Sequence, residues 1–392
     1  MKTENGWPVR FLNILLVLGS PVLALFIVEI SLGIVHRQHS GTVQEMPGEP
    51  VQSTVLFQYD PIAGWDGIPS IRRQVRGVTF THNSIGLRGP EISAEKGIGT
   101  TRVLVLGDSQ AYGNELPDDQ TISSHVSAGG DSLEGINLGI SGYGIDQSLL
   151  RFVARGLPLK PDYAAFVLFP ENDLAEITSA NNWGAEKPVF RPEAEQLCLY
   201  NSPPARVAGW PNNSIVHPRN QLLGSVEALL PNLSSFAASR EWRPAILAWL
   251  QRWPSIHPQA LYASVKKHIP CIRPGRPSVA SSPPQVDLAL EIFHLLKTIA
   301  DDYGVKLLVV IKPVQTDYRR PEHVNPPPLI SLMSGLQQRG IEVIDLAPRL
   351  REKNLLESQL FISGYHLSGR GNREIAESIR GWIEEHQRGL EG

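Results

Sequence analysis

The chain has 392 residues, 42% of them hydrophobic and 19% charged, with a formal net charge of −3. These figures exclude a disordered chain and supply core material for one large domain or two ordinary ones. The near-neutral balance, with no dense Lys/Arg stretch, leaves no electrostatic footprint for a nucleic-acid partner.

The first element is apolar. Residues 11–28, FLNILLVLGSPVLALFIV, hold Asn13 and Ser20 as their only plainly polar side chains, and apolar character resumes after Glu29 through Val35. About 20 such residues suffice for a helix to cross roughly 30 Å of hydrocarbon. Residues 1–37 are therefore expected to form an N-terminal transmembrane signal anchor. Two other readings compete. A cleaved signal peptide is disfavoured by the length of the run and the lack of an A-x-A site; a buried soluble helix is the third. Lys2 and Arg10 precede the span and Arg37 follows it, so the positive-inside bias is slight. An extreme N-terminal span with a polar bulk behind it usually leaves that bulk outside the cytoplasm. Pro21 is expected to kink the span and Glu29 to lie near its interface.

Residues 38–54 are polar with Gly and Pro and read as a linker. Short alternating stretches such as Val78-Thr79-Phe80-Thr81, broken by Gly and Pro, make residues 55–100 a small β-rich lead-in.

From Arg102 the pattern changes. RVLVLGDS, GINLGI, DYAAFVLFP, VKLLVVIKP and IEVIDL are five buried-strand candidates, alternating with helical periodicity. Leu288, Ile292, Leu295, Leu296 and Ile299 share one helix face; Ile375, Ala376, Ile379, Trp382 and Ile383 share another. Such alternation predicts a parallel sheet covered on both faces, within a domain at 101–392. Residues 180–285 interrupt the series with nearly half of the 32 prolines, both cysteines, and Trp183, Trp210, Trp242, Trp249 and Trp253. A helical patch is expected around 221–252. The insertion reads as a lid over the binding face or as a packing appendage. Cys198 and Cys271 show no zinc-ligand spacing; they pair in an oxidising compartment or remain two buried thiols.

Four strand ends carry possible chemistry. Leu106-Gly107-Asp108-Ser109 closes the first strand and opens a helix, whose orphan N–H groups favour charge on a reacting oxygen. Asn137-Leu138-Gly139-Ile140-Ser141-Gly142-Tyr143-Gly144 follows the second strand, with glycines that admit close backbone approach. Pro170-Glu171-Asn172-Asp173 follows the third, where the Asn172 amide is either an oxyanion donor or a helix cap. Gly364-Tyr365-His366-Leu367-Ser368 precedes the last helix and offers a general base. Each signal alone is more often structural. Their order on successive strand ends is the informative part.

Together these residues resemble the SGNH/GDSL hydrolase family, in its membrane-anchored bacterial form, over about residues 102–385 without the insertion. The lead-in FQYDPIAGW…HNSIGLRGPE (57–91) adds to that likeness. The resemblance implies a flavodoxin-like α/β three-layer sandwich with a five-stranded parallel sheet. It implies Ser109 as nucleophile, His366 as base, and Ser109 N–H, Gly142 N–H and the Asn172 side chain as oxyanion hole, with no cofactor or metal. It further implies an esterase or O-acyltransferase outside the cytoplasm (periplasmic in a Gram-negative cell), acting on an acylated envelope glycan or a lipid, with envelope polysaccharide assembly proteins as partners. One position departs from the family. The acid expected two or three residues before the histidine is replaced by Gly364 and Ser363. Three resolutions stay open: a backbone carbonyl holds the imidazole, another acid reaches it, or the domain is a weakened glycan-binding or assembly component.

Overall fold

The computed structural model describes residues 55–93, 95–130, 132–182, 184–194, 196–205, 258–273, 275–277, 284–318, 326–362 and 365–391. The expected anchor at 1–37, the linker, the five insertion tryptophans, the patch at 221–252, and Ser363 with Gly364 lie outside the described residues. Among the described residues, no helix is long and apolar enough to cross a membrane.

The lead-in folds as two antiparallel hairpins, β1 (Phe57–Asp60) with β2 (Gly64–Gly67) and β3 (Ile71–Val75) with β4 (Val78–His82). Arg76 and Gly77, at φ +50° and +82°, make the two-residue turn between β3 and β4. Two successive left-handed residues match the right-handed twist of the paired strands, and glycine meets that demand without strain.

All five sequence-predicted strands enter one sheet: β5 (Thr101–Gly107), β6 (Leu133–Asn137), β7 (Tyr163–Leu168), β10 (Lys306–Ile311) and β11 (Glu342–Asp345). The intervening β8 (Val189–Glu193) and β9 (Gln196–Tyr200) form a separate hairpin within the insertion. The sheet order is β6-β5-β7-β10-β11 and every pair is parallel. This is the flavodoxin-like 2-1-3-4-5 arrangement, whose ligand crevice opens between its first and third strands. Here those strands are β5 and β7.

Strand alternation divides the core into two layers. Leu104, Leu106, Phe166, Leu168, Val309 and Ile311 face α3 (Ile145–Arg151), α6 (Gln285–Asp302) and α7 (Pro327–Gln338). Val103, Val105, Ala165, Val167, Leu308 and Val310 face α2 (Ile122–Ser127), α8 (Leu346–Glu352) and the long α9 (Gly369–Glu391). Ile375, Ala376, Ile379, Trp382 and Ile383 are the buried stripe of α9. Each such fully buried aliphatic or Phe side chain contributes about 1.5–3 kcal/mol. The sheet is thus the middle of three layers.

The described flanks of the insertion belong to this core. Phe190 and Leu199 of the β8–β9 hairpin, with Val265 of α5 (Pro258–His268) and Ile269 just after it, join the first layer. Cys198 and Cys271 form a disulfide that ties the hairpin to the segment after α5. These flanks are packing elements; the remainder of the expected lid lies outside the described residues.

Candidate active site

Ser109 opens α1 (Ser109–Tyr112), a four-residue helix at the carboxyl end of β5. Asp108 caps it, accepting the Gln110 N–H at 2.9 Å. A capping carboxylate ends the strand and starts the helix within one residue, which leaves the following serine at the sheet edge. His366 Nε2 lies 3.0 Å from Ser109 Oγ, the reach of a base for its nucleophile.

The loop carrying His366 is held at several points. Ile362 N–H donates to the His366 carbonyl at 3.0 Å, and Ser368 N–H donates to Leu360 O at 2.8 Å. Lys312, directly after β10, donates its ammonium to the Tyr365 carbonyl, and its Nζ stands 4.1 Å from the centre of the Phe169 ring. Burial pushes the Lys312 ammonium down to about 8, against the opposing pull of Asp108, Glu171 and Asp173.

The second imidazole nitrogen faces a carboxylate. His366 Nδ1 is 3.3 Å from Glu115 Oε2. Sequence reasoning missed Glu115 because 251 positions separate it from His366. Its only sequence signal is an acid in the Gly113-Asn114-Glu115 turn just past the Gly-Asp-Ser helix.

Gly142 sits at φ +78° in the loop after β6, and its carbonyl accepts from Asn182 Nδ2 at 2.8 Å. Gly139 seats that loop against α1. A Cβ there would stand 2.2 Å from Tyr112 N and 2.5 Å from Ala111 C, so no larger residue fits without moving backbone.

Asn172 lies in the first turn of α4 (Pro170–Glu176), beyond β7. Its Nδ2 donates to Asp108 Oδ2 at 3.0 Å and reaches Glu176 Oε1 only at 3.5 Å, while its buried Oδ1 has no hydrogen-bond partner. One amide N–H is therefore committed to Asp108, and the second is weakly held. Ser109 Oγ is itself 3.4 Å from Asp108 Oδ2, so this carboxylate links Ser109 to Asn172. Burial pushes Asp108 up; the Gln110 N–H, the Asn172 amide, Lys312 and His366 all pull the other way. Burial likewise raises Glu176 to about 7 and lifts Asp173, which accepts the Phe169 N–H at 2.8 Å, well above the carboxylate range.

The structure brings Ser109 and His366 into direct contact, links Asn172 to Ser109 through Asp108, and seats the Gly142 loop on α1. Among the described residues the one grouping with metal-ligand spacing is Glu193, Cys198 and Cys271, at the two flanks of the insertion, and its two sulfurs are bonded to each other.

No family model matches the chain, and no curated protein does. Two solved structures are similar to it at 11% identity and a TM-score of 0.35: TesA, with 72% of this chain and 97% of that one covered, and LAE5, an alpha/beta hydrolase enzyme from the metagenome of Lake Arreo, Spain, with 72% and 96% covered.

Proposed function

We propose that the protein is a serine-dependent ester hydrolase or O-acyltransferase of the SGNH type. The observation that carries this reading is the 3.0 Å contact between Ser109 Oγ and His366 Nε2, at the switch point of a 2-1-3-4-5 sheet. In the reaction Ser109 Oγ attacks an ester carbonyl carbon while its proton passes to His366 Nε2. The carbonyl oxygen gains the electron pair and is held by the Ser109 and Gly142 N–H groups and the second Asn172 N–H. Collapse of this intermediate breaks the ester C–O bond, and the leaving alkoxide takes the proton from His366 Nε2. Water or a sugar hydroxyl then attacks the acyl-serine by the same steps in reverse, giving hydrolysis or transfer.

The substrate class in this proposal is an O-acylated envelope glycan or a lipid, met outside the cytoplasm by a domain anchored through residues 1–37. The Cys198–Cys271 disulfide supports that placement, because such bonds persist in oxidising compartments. The tryptophans that motivate a purely glycan-binding role lie outside the described residues, so no structural observation favours that second reading.

A fluorophosphonate probe tests the proposal. Wild-type protein is expected to be labelled at one serine and to hydrolyse p-nitrophenyl acetate, and Ser109→Ala to do neither. Equal labelling of both proteins would overturn the assignment.

A further inference from the structure

His366 has two ring nitrogens, and a base that takes a proton on Nε2 needs an acceptor at Nδ1 to fix its tautomer and steady its charged form. The chain positions just before His366 carry no acid. Glu115 Oε2 stands there instead, 3.3 Å from Nδ1, and Ser109 Oγ lies 3.0 Å from Nε2 on the other side of the ring.

How Glu115 is held matters as much as its distance. Its backbone is left-handed, at φ +66°, a conformation that a side-chain-bearing residue adopts only when its surroundings impose it. Arg88 supplies much of that imposition. This buried guanidinium, contributed by the lead-in, donates from Nη1 to Tyr112 O at 2.9 Å and to Gly113 O at 2.6 Å, and from Nη2 to Leu116 O. Its Nε donates to Asp118 Oδ1 at 2.9 Å, and its central carbon lies 4.3 Å from the Phe80 ring centre. Three carbonyls of the turn carrying Glu115 thus converge on one planar cation, whose fixed fork sets their spacing. Asn114 Nδ2 pins the same turn to Ser141 Oγ at 3.0 Å, beside the Gly142 loop.

We propose that Glu115 is the carboxylate arm of a Ser109–His366–Glu115 triad, a positioning residue delivered from the turn after the nucleophile helix and set there by Arg88. The proposal rests on the reading of Ser109 and His366 as nucleophile and base. Glu115 does not itself take up the serine proton. It accepts the Nδ1–H, holds the tautomer with Nε2 free, and opposes the imidazolium that forms when Ser109 gives up its proton. Because Glu115 is partly solvated, its removal should cost less than the roughly 10⁴-fold seen for a fully buried aspartate arm.

The test compares wild type, Glu115→Gln, Glu115→Asp and Glu115→Gly in ester hydrolysis, thermal melting and ¹⁵N NMR of the His366 ring. Glu115→Gln is expected to lose about 10- to 100-fold in kcat with little change in KM, and to move the acidic limb of the kcat/KM profile to lower pH. Glu115→Asp should recover part of the loss. Glu115→Gly relieves the left-handed backbone, so it should melt at or above the wild-type temperature while losing kcat; a merely structural glutamate would not separate the two. Activity in Glu115→Gln within twofold of wild type, with an unmoved pH profile, overturns the proposal. The NMR arm does not depend on turnover. If wild type is inactive on esters, the functional reading fails, and the ring spectrum still decides the arm: Nδ1–H hydrogen-bonded in wild type and altered in Glu115→Gln supports it, and identical spectra refute it.

Discussion

The indole of Trp65 meets the Tyr143 ring edge-on, 5.4 Å between centres, and each residue donates a hydrogen bond to the other's loop. Trp65 Nε1 donates to Ser141 O at 3.1 Å, and the Tyr143 hydroxyl donates to the Trp65 carbonyl. Both rings are buried. The second lead-in hairpin strand therefore fixes the backbone on both sides of Gly142, whose N–H is the proposed oxyanion donor.

That brace predicts a coupled loss. Trp65→Ala should destabilise the fold by about 3–5 kcal/mol, the usual cost of removing a buried Trp or Phe. Tyr143→Phe keeps the ring but removes the hydroxyl's hydrogen bond to the Trp65 carbonyl, at about 0.5–1.5 kcal/mol. Urea titration gives both figures. At a urea-free temperature where Tyr143→Phe is fully folded, kcat should still fall, since the loop is less firmly set. Unchanged kcat would mean that Gly142 needs no bracing.

Asn172→Ala should lower kcat by roughly 10²–10³-fold with a small change in KM, the loss typical for one oxyanion donor. Steady-state kinetics on an aryl ester checks this. Asn172→Asp should do no better, because it places a second carboxylate 3.0 Å from Asp108 Oδ2. A KM effect alone would place Asn172 in substrate binding and outside the oxyanion hole.

Glu176 gives a pH prediction with a definite sign. Burial raises its carboxyl in the folded state to about 7 from an ordinary 4.5, so between those values the folded protein holds a proton that the unfolded chain has lost. Its contribution to stability is fully present below about 4.5 and is lost as pH rises through about 7. Glu176→Gln removes that dependence. The variant should melt close to wild type near pH 4.5 and above it at pH 8, read by calorimetry at the two pH values. A wild type that gains stability relative to the variant on going to pH 8 would contradict the assignment.

The Cys198–Cys271 bond closes a loop across 73 positions, for which chain entropy predicts stabilisation on the order of 4 kcal/mol. Reductant, or Cys198→Ser with Cys271→Ser, should lower the melting temperature accordingly. Mass analysis of non-reduced protein should find no free thiol.

The proposed anchor is tested by deletion. Removing residues 1–37 should convert a carbonate-resistant membrane protein into one recovered in the supernatant with its esterase activity intact. Recovery of the full-length protein in the supernatant would rule the anchor out.

Legibility of the sequence followed the range of the interactions. The five sheet strands announce themselves as apolar runs, because strands covered on both faces need no polar alternation. That Ser109, Gly142, Asn172 and His366 lie beyond the carboxyl edge of the sheet is legible from their places in the chain after successive strands, because parallel connectivity puts every strand's carboxyl end on one edge. Glu115 was not, since its meeting with His366 depends on a turn geometry that Arg88 imposes from outside the sheet. The same holds for Trp65 on Ser141 and for Asn172 turning toward Asp108. These are contacts between residues far apart in sequence, and no local periodicity encodes them.

The bridge between Cys198 and Cys271 also alters the covalent topology of the chain. The first three sheet strands precede it and the last two follow it, so every residue between the two cysteines lies on a side loop of a continuous covalent path. A protease cutting anywhere on that loop produces two polypeptides by reducing gel but a single molecule by mass, with both halves of the sheet still linked. The chain would in this way survive a nick as one particle, and the nick would go unseen unless a thiol were present.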